Sequence, residues 1–251
     1  MKQKWWLAVG LLLCYLGFLL SSLPADRVLA HVPLPPDVQV QGVQGTLWQG
    51  KVETLRWQRH ALHAVHWSLL FSHWLRLAPA VALKFEDRNG LLGEAVVTWQ
   101  DGVLKIDQAR LQADAAWLAA QSPMPLPVAL NGTLSWRDGE LTVTPQGVCQ
   151  RLAGSLNWQE AKVVSPFGPL DLDTAQAQLS CNKGRWQAQV KQSSSQLRTE
   201  GRVDMGVQGD YQLDARLFPA SSLAAAYRQG IDMIGPRDSE GAVRVKQNGR
   251  L

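Results

Sequence analysis

Four histidines lie close together in the sequence, and their spacing is the first feature that suggests metal chemistry. His60, His63, His66 and His73 fall within one short stretch, and imidazole is the commonest metal ligand in proteins. In an extended strand, however, His60 and His66 would face one side of the sheet and His63 the other. Ligands that diverge in this way cannot complete the tetrahedral set that zinc requires. We therefore interpret these residues as a partly exposed strand face and predict no metal site.

No other motif has the residue types and spacing of a catalytic or cofactor site. Gly42, Gly45 and Gly50 resemble a phosphate loop only in their glycines, since no Gly-Lys-Ser/Thr follows them. The serine run at 193–195 lacks the Gly-x-Ser-x-Gly elbow of hydrolases. The carboxylates are dispersed and show no pairing suited to acid and base work. The sequence therefore predicts no catalytic residues, no cofactor and no enzymatic activity.

Composition favours a folded, β-rich protein. Of 251 residues, 46% are hydrophobic and 18% are charged, and 25 basic less 21 acidic residues give a net charge of +4. The basic residues are scattered along the chain, so nucleic acid is not expected as a partner. Eleven Trp against five Phe and three Tyr is an unusual ratio, and large flat side chains suit strand faces. The tryptophans either fill core positions or form a platform for sugar, lipid or a protein partner.

The N-terminal segment predicts export and membrane attachment. No charged residue occurs from Trp5 to Ala25, and a helix of that length crosses a hydrocarbon layer of ~30 Å. Lys2 and Lys4 precede the run, which predicts that residues 1–4 are cytoplasmic and that the body is exported. The run is longer than the about 7 to 15 apolar residues of a cleaved signal. We therefore favour a retained transmembrane anchor at 5–25, with cleavage after residues 28–30 as the alternative.

Two cysteines in the exported part are candidates for a disulfide. Cys149 and Cys181 are the only thiols outside the apolar run, where Cys14 is most simply a small apolar residue. In an oxidising compartment an isolated pair tends to be bridged. We predict a Cys149–Cys181 disulfide, and two buried free thiols are the alternative.

The body is predicted to begin after an extended linker. Pro33, Pro35 and Pro36 lie in residues 26–41, which show neither helical nor alternating periodicity. Residues 42–251 form the predicted β-rich domain. Within it, Asp101-Gly102 and Asp138-Gly139 each separate two alternating arms, and this pattern predicts two tight hairpins.

Short repeated elements and two helical segments complete the prediction. The segments 45–48, 132–136 and 154–158 each run from Gly through Thr or Ser and Leu to Trp, as in a meander of similar hairpins. Alternation continues through 186–190 and 211–217. Short helices are expected at 113–120 and at 222–234, the second capped by Ser221 or Ser222. The predicted fold is therefore mainly β, with one curved or elongated antiparallel sheet after the transmembrane helix. A small sandwich is the alternative.

The order of these elements resembles the protein N family of the type II secretion system. The resemblance lies in one N-terminal span, a proline-containing linker, the segment Val43-Gln44-Gly45-Thr46-Leu47-Trp48-Gln49-Gly50, and later Leu-x-Gly-Thr/Ser-Leu elements. It covers nearly the whole chain. It implies a non-catalytic, single-pass inner-membrane protein with a periplasmic body, whose partners are other secretion components and the inner membrane. The family carries no catalytic residues.

The same resemblance extends distantly to AsmA-like periplasmic β-groove proteins, whose curved sheets have an apolar concave face. That likeness implies a second function, in which the body contacts or handles lipid. A sugar-binding module is a third possibility permitted by the number of tryptophans. Lipid that copurifies in the absence of secretion partners would favour the second hypothesis over the first.

Overall fold

The computed structural model describes residues 2–31, 38–57, 60–71, 78–87, 90–120 and 128–250. These residues contain thirteen β-strands and four helices. The pairings of neighbouring strands within each unit are antiparallel. The chain divides into two compact units, Met1–Asp87 and Arg88–Leu251. The prediction of a mainly β, antiparallel protein is therefore confirmed.

In the described part of unit 1, two N-terminal helices are followed by four strands in sequence order. The helices are α1 (Lys2–Ser21) and α2 (Ala25–Leu29), and the strands are β1 (Val38–Gly45), β2 (Gln49–Trp57), β3 (His60–Leu70) and β4 (Ala80–Glu86). Each strand pairs with the next one along the chain. Small and β-branched side chains, such as Ala25, Val52, Val65 and Ala80, are buried where the elements meet.

The segment after α1 differs from the extended linker predicted for residues 26–41. Ala25–Leu29 is a short helix, and β1 begins at Val38, while residues 32–37 lie outside the described part of the chain. The physical reason is local docking: Pro24 pairs with Thr46 in an antiparallel bridge, and this places the side chain of Ala25 in the interior. Among the helices of the described residues, none combines the length and mean hydropathy of a membrane span.

The described residues of unit 2 form nine strands and two helices. The strands are β5 (Leu92–Gln100), β6 (Val103–Asp114), β7 (Ala129–Val143), β8 (Cys149–Ser165), β9 (Gly168–Asn182), β10 (Arg185–Ser193), β11 (Leu197–Met205), β12 (Asp210–Pro219) and β13 (Val243–Arg250). The helices are α3 (Ala115–Ala120) and α4 (Ala225–Ile234). Each strand again pairs with its neighbour in sequence. The segments 186–190 and 211–217, predicted as strands, lie within β10 and β12.

The main apolar core of unit 2 forms where α4 packs on the last strands. Leu223 and Val243 are almost completely buried, and Leu197 and Ile231 join them. Tyr227 of α4 packs against this cluster. Its hydroxyl donates to the carbonyl oxygen of Gly168 at 2.8 Å and lies 2.6 Å from Ser165 Oγ. The single hydroxyl hydrogen of Tyr227 is used in the bond to Gly168, so the Ser165 hydroxyl is the donor to Tyr227. These two bonds connect α4 to the β8–β9 turn.

The two helices of unit 2 agree with the predicted segments, but the predicted cap is wrong. The segment 113–120 is helical from Ala115, and 222–234 is helical from Ala225. Ala224 occupies the N-cap position without a side-chain hydrogen bond. The Ser222 hydroxyl instead donates to the carbonyl oxygen of Ser195 at 2.5 Å. It therefore connects the chain before α4 to the β10–β11 turn.

One of the two predicted hairpins is confirmed and the other is wrong. Asp101 and Gly102 both have positive φ, of 54° and 74°, and they connect β5 to β6 as expected. Asp138 and Gly139 instead lie inside the single strand β7, and of these two residues only Asp138 has positive φ. The strand passes through this point because β6 and β8 pair with it on both sides. The Asp-Gly pair is therefore a β-bulge and not a turn.

Candidate interaction surfaces

An apolar recess lies on one face of the unit 2 sheet. Its cavity volume is about 360 Å³, which lies within the ~300–1,000 Å³ typical of small-molecule pockets. Five consecutive strands, β7 to β11, contribute to it. Its apolar lining consists of Trp136, Leu141, Leu152, Leu179, Trp186, Ala188, Val203 and Met205. We call this feature the apolar recess.

The bulge at Asp138 builds one side of the apolar recess. Trp136 and Leu141 are five residues apart, so in a regular strand their side chains would point to opposite faces. Between Arg137 and Glu140 the pairing with β8 shifts by one residue. The extra residue restores the alternation, and both apolar side chains line the same recess. The bulge that replaces the predicted hairpin turn is therefore what assembles this surface.

The indole of Trp136 fits against two glycines. A Cβ atom on Gly139 would lie 2.6 Å from the Trp136 ring, and one on Gly154 would overlap its Nε1 atom. Gly154 also has a φ of +122°, which residues with a side chain adopt only with strain. Trp136 Nε1 is buried and has no hydrogen-bond partner in the described part of the chain. Both glycines therefore make room for a large ring at the edge of the apolar recess.

A disulfide lies beside the apolar recess. Cys149 and Cys181 are joined, with their Cα atoms 5.7 Å apart, and Cys149 is deeply buried. Trp186, which lines the recess, is the cross-strand partner of Cys181. Its indole Nε1–H donates to Gly147 C=O at 3.3 Å. The disulfide therefore fastens the start of β8 to the end of β9 beside the apolar lining.

Two of the three repeated sequence elements pair with one another. Ser135 lies opposite Asn157, so the elements at 132–136 and 154–158 run antiparallel on β7 and β8. Trp136 then faces Leu156, and Trp158 faces Leu134. The third element, at 45–48, forms most of the turn between β1 and β2 in unit 1. The repeat therefore serves two different structural purposes.

The last strands of unit 2 carry cross-strand ion pairs. Arg185 pairs with Asp210 at 2.6 Å, and Arg244 pairs with Asp214 at 2.5 Å. The hydrogen bond from each arginine holds the pKa of its carboxyl below the usual value of 3.8. On β10, the Gln187 side-chain amide donates to the carboxylate of Asp204 at 2.6 Å. These partners satisfy the charges locally, as expected for a structural surface.

The histidines do not come together in the part of the chain that the structure describes. Thr54 Oγ1 lies 3.3 Å from Nδ1 of His63, and His66 lies opposite Lys51 and Lys84 on the neighbouring strands. His73 lies outside the described residues. Among the residues that were described, no three His, Cys, Asp or Glu side chains form a group suited to a metal ion.

Sequence reasoning did not find the apolar recess, although it assigned several of its residues to strands. The sequence pattern predicts Trp136 and Trp186 only as strand residues. The repeated Gly-x-Leu-x-Trp element was the one available signal, because it marks where β7 and β8 leave space for a ring. Which strands meet around that ring depends on register across five strands, and register is set by long-range packing.

Comparison with known proteins gives the family. The model for protein N of the type II secretion system matches residues 36–246. Proteins called type II secretion system protein N are similar over nearly their full lengths. The Aeromonas hydrophila protein is 36% identical over 100% of both chains. The protein of Pectobacterium carotovorum subsp. carotovorum is 32% identical over 97% of this chain and 96% of its own.

A third relative is more distant but equally complete. Type II secretion system protein N of Klebsiella pneumoniae is 31% identical over 99% of this chain and 97% of its own. No solved structure matches this chain significantly. Because the family model covers most of the chain and the relatives align from end to end, this chain belongs to the type II secretion system protein N family.

Proposed function

We propose that this chain is a non-catalytic, inner-membrane component of the type II secretion system that assists export of folded proteins from the periplasm across the outer membrane. Family membership carries the proposal, since the match extends over residues 36–246. The apolar recess on the unit 2 sheet gives such a protein a surface for a partner segment. Apolar and aromatic residues in a concave site are typical of the buried centre of an interface.

The proposed anchor is the uncharged run Trp5–Ala25, which continues four residues beyond α1. Large apolar side chains of α1 from Leu11 onward are exposed, including Leu11 at 75% and Phe18 at 69%. Twenty helical residues extend ~30 Å, about the thickness of a hydrocarbon core. Residues 1–4 would then be cytoplasmic, and the body from residue 42 would be periplasmic.

Two fractionation experiments test the anchor. The chain should remain with membranes after alkaline carbonate extraction, because only an integrated segment resists it. In spheroplasts, added protease should digest the body while leaving cytoplasmic markers intact. Release of the chain by carbonate would contradict the anchor, and protection of the body in intact spheroplasts would contradict its periplasmic location.

The secretion role is tested by deleting the protein in its native host. Folded substrates should then accumulate in the periplasm while the outer-membrane barrier remains intact. Normal secretion combined with a leaking barrier would contradict the secretion role and favour a role in lipid handling. Expression of the wild-type chain from a plasmid provides the control for effects on neighbouring genes.

A second candidate function, lipid binding, is favoured by one observation, the apolar lining of the recess. The full chain can be purified in detergent, and its bound lipid extracted and counted per protein. The double variant Leu152→Gln and Leu179→Gln places amides in the recess, whereas Val164→Gln changes an exposed residue elsewhere. Lipid binding predicts that only the double variant loses lipid. Equal lipid in all three proteins would assign that lipid to the proposed anchor and not to the recess.

A further inference from the structure

The end of α1 is bonded directly to the turn between β1 and β2. The backbone N–H of Leu47 donates to Leu23 C=O at 2.9 Å, and the indole Nε1–H of Trp48 donates to Leu20 C=O at 2.8 Å. Leu20 belongs to the last turn of α1, and its carbonyl oxygen also accepts a long bond from the N–H of Leu23 at 3.4 Å. Trp48 therefore adds a second, shorter hydrogen bond to the helix end, across 28 residues of sequence.

The same turn is also bonded to the middle of the unit 1 sheet. Trp67 Nε1–H donates to Leu47 C=O at 3.1 Å, and the N–H of Leu69 donates to Trp48 C=O at 2.7 Å. At Gly50 a Cβ atom would overlap the Trp67 ring, so the turn approaches β3 as closely as a backbone can. We call residues Gly45–Gly50 the docking turn, because they connect α1 to β3.

Large apolar and aromatic groups are exposed around the docking turn. The rings of Trp48 and Phe71 pack with their centroids 5.1 Å apart, and Phe71 is 57% exposed. Leu20, at the end of α1, is 53% exposed. Trp and other aromatic residues concentrate where membrane spans leave the hydrocarbon layer, since their rings suit the boundary between acyl chains and headgroups. The aromatic pair occupies that position relative to the proposed anchor.

A row of basic side chains crosses three strands near the docking turn. Lys51 lies opposite His66, and His66 lies opposite Lys84, so the three share one face of the sheet. All three are exposed. Glu53 follows on the same face of β2, two residues further from the turn. The two lysines and the histidine therefore lie nearer the docking turn than Glu53 does, and the lysine ammonium groups suit anionic headgroups.

We propose that the docking turn, Phe71 and the basic row Lys51, His66 and Lys84 form a membrane-contact surface for anionic phospholipid bilayers. The aromatic pair lies at the boundary of the acyl chains, and the basic row faces the headgroups. This inference rests on the proposed anchor. Its consequence is that unit 1 is held against the bilayer in a fixed orientation and does not swing on a tether.

Depth measurements on the full chain test the surface. In a Cys14→Ser background, a spin label is attached at Gln49→Cys in the docking turn or at Gln39→Cys, both exposed positions. Gln39 lies near the far end of β1, roughly 20 Å along the strand. The protein is reconstituted in vesicles of phosphatidylethanolamine and phosphatidylglycerol. The quantity measured is the ratio of label collisions with dissolved oxygen to those with a water-soluble nickel chelate.

We expect the ratio of oxygen collisions to chelate collisions to be several-fold higher at position 49 than at position 39, because oxygen concentrates in lipid and the chelate in water. Trp48→Phe keeps a ring but removes the indole donor, and should lower the ratio at 49 towards that at 39. The matched control Trp99→Phe changes an exposed tryptophan of unit 2 and should leave the ratio unchanged. Lys51→Glu should lower the ratio at 49 in anionic vesicles.

Three results would overturn the inference, and they are distinguishable. Equal ratios at 49 and 39 in a chain that resists carbonate extraction would remove the contact surface and leave the anchor standing. Release of the chain by carbonate would remove both. A high ratio at 49 that survives Trp48→Phe would remove the role assigned to the indole of Trp48.

Discussion

Removal of the Cys149–Cys181 disulfide should lower the stability of unit 2 by a predictable amount. The two residues are separated by 32 positions, and in the chain-entropy model closing such a loop stabilises the folded state by roughly 3.5 kcal/mol at 25 °C. For a unit of this size, each kcal/mol shifts the melting temperature by about 2–4 °C. The expected loss is therefore roughly 7–14 °C. Alanine is the better replacement, since a buried serine hydroxyl without a partner would add its own destabilisation at Cys149.

Thermal unfolding of the full chain in detergent measures this loss. The double variant Cys149→Ala and Cys181→Ala should melt well below wild type, and a reducing agent should lower wild type to the same value while leaving the variant unchanged. Cys14→Ala is the matched control, because Cys14 is exposed and free. If wild type and double variant melt together, the disulfide does not restrain the unfolded chain as argued, and the estimate is refuted.

Three further changes test separate parts of the fold. Gly154→Ala should destabilise the chain by about 1–3 kcal/mol, since the new Cβ meets both the ring of Trp136 and a positive φ; an unchanged melting temperature would contradict this packing. Tyr227→Phe removes the hydroxyl bonds of α4 to the β8–β9 turn and should cost about 1 kcal/mol, with faster amide exchange at that turn; equal exchange would contradict it. The hydrogen bond from the backbone N–H of Ala242 is the largest cause that lowers the pKa of Asp238 from 3.8. The ionised Asp238 carboxylate therefore stabilises the folded state fully above about pH 4, and this contribution is lost as the pH falls through the folded-state pKa. Asp238→Asn should weaken the dependence of urea denaturation on pH below about pH 4. A pH profile identical to that of wild type would contradict the stabilising bond between Asp238 and Ala242.

Local signals in the sequence predicted the elements of this fold well. Asp101-Gly102 has two residues of positive φ between alternating arms, and it forms the expected hairpin. Asp138-Gly139 has the same two residue types, yet the strand continues through it. The difference lies in packing: Gly139 must lack a side chain because the ring of Trp136 packs over it, and β6 and β8 pair with the strand on both sides. A pattern read over ten residues cannot distinguish a turn glycine from one that makes room for a ring.

The interaction surfaces required information that a single sequence does not contain. The apolar recess combines residues of five strands, and its composition depends on bulges that change which side chains share a face. The docking of α1 depends on Trp48, whose indole bonds to a helix 28 residues away. The sequence predicted a linker at 26–41 because prolines and irregular periodicity indicate extended chain. It carried no sign that Pro24 would pair with Thr46.

The most direct test of the central claim is to deplete the chain from growing cells of its native host and to follow one folded substrate over time. The quantity measured is the fraction of that substrate in the medium relative to the periplasm, with a periplasmic enzyme as a leakage marker. The account predicts that the secreted fraction falls as the chain disappears, that the substrate accumulates folded in the periplasm, and that wild-type chain restores export. A secreted fraction that stays constant after the chain has gone would contradict a role in secretion.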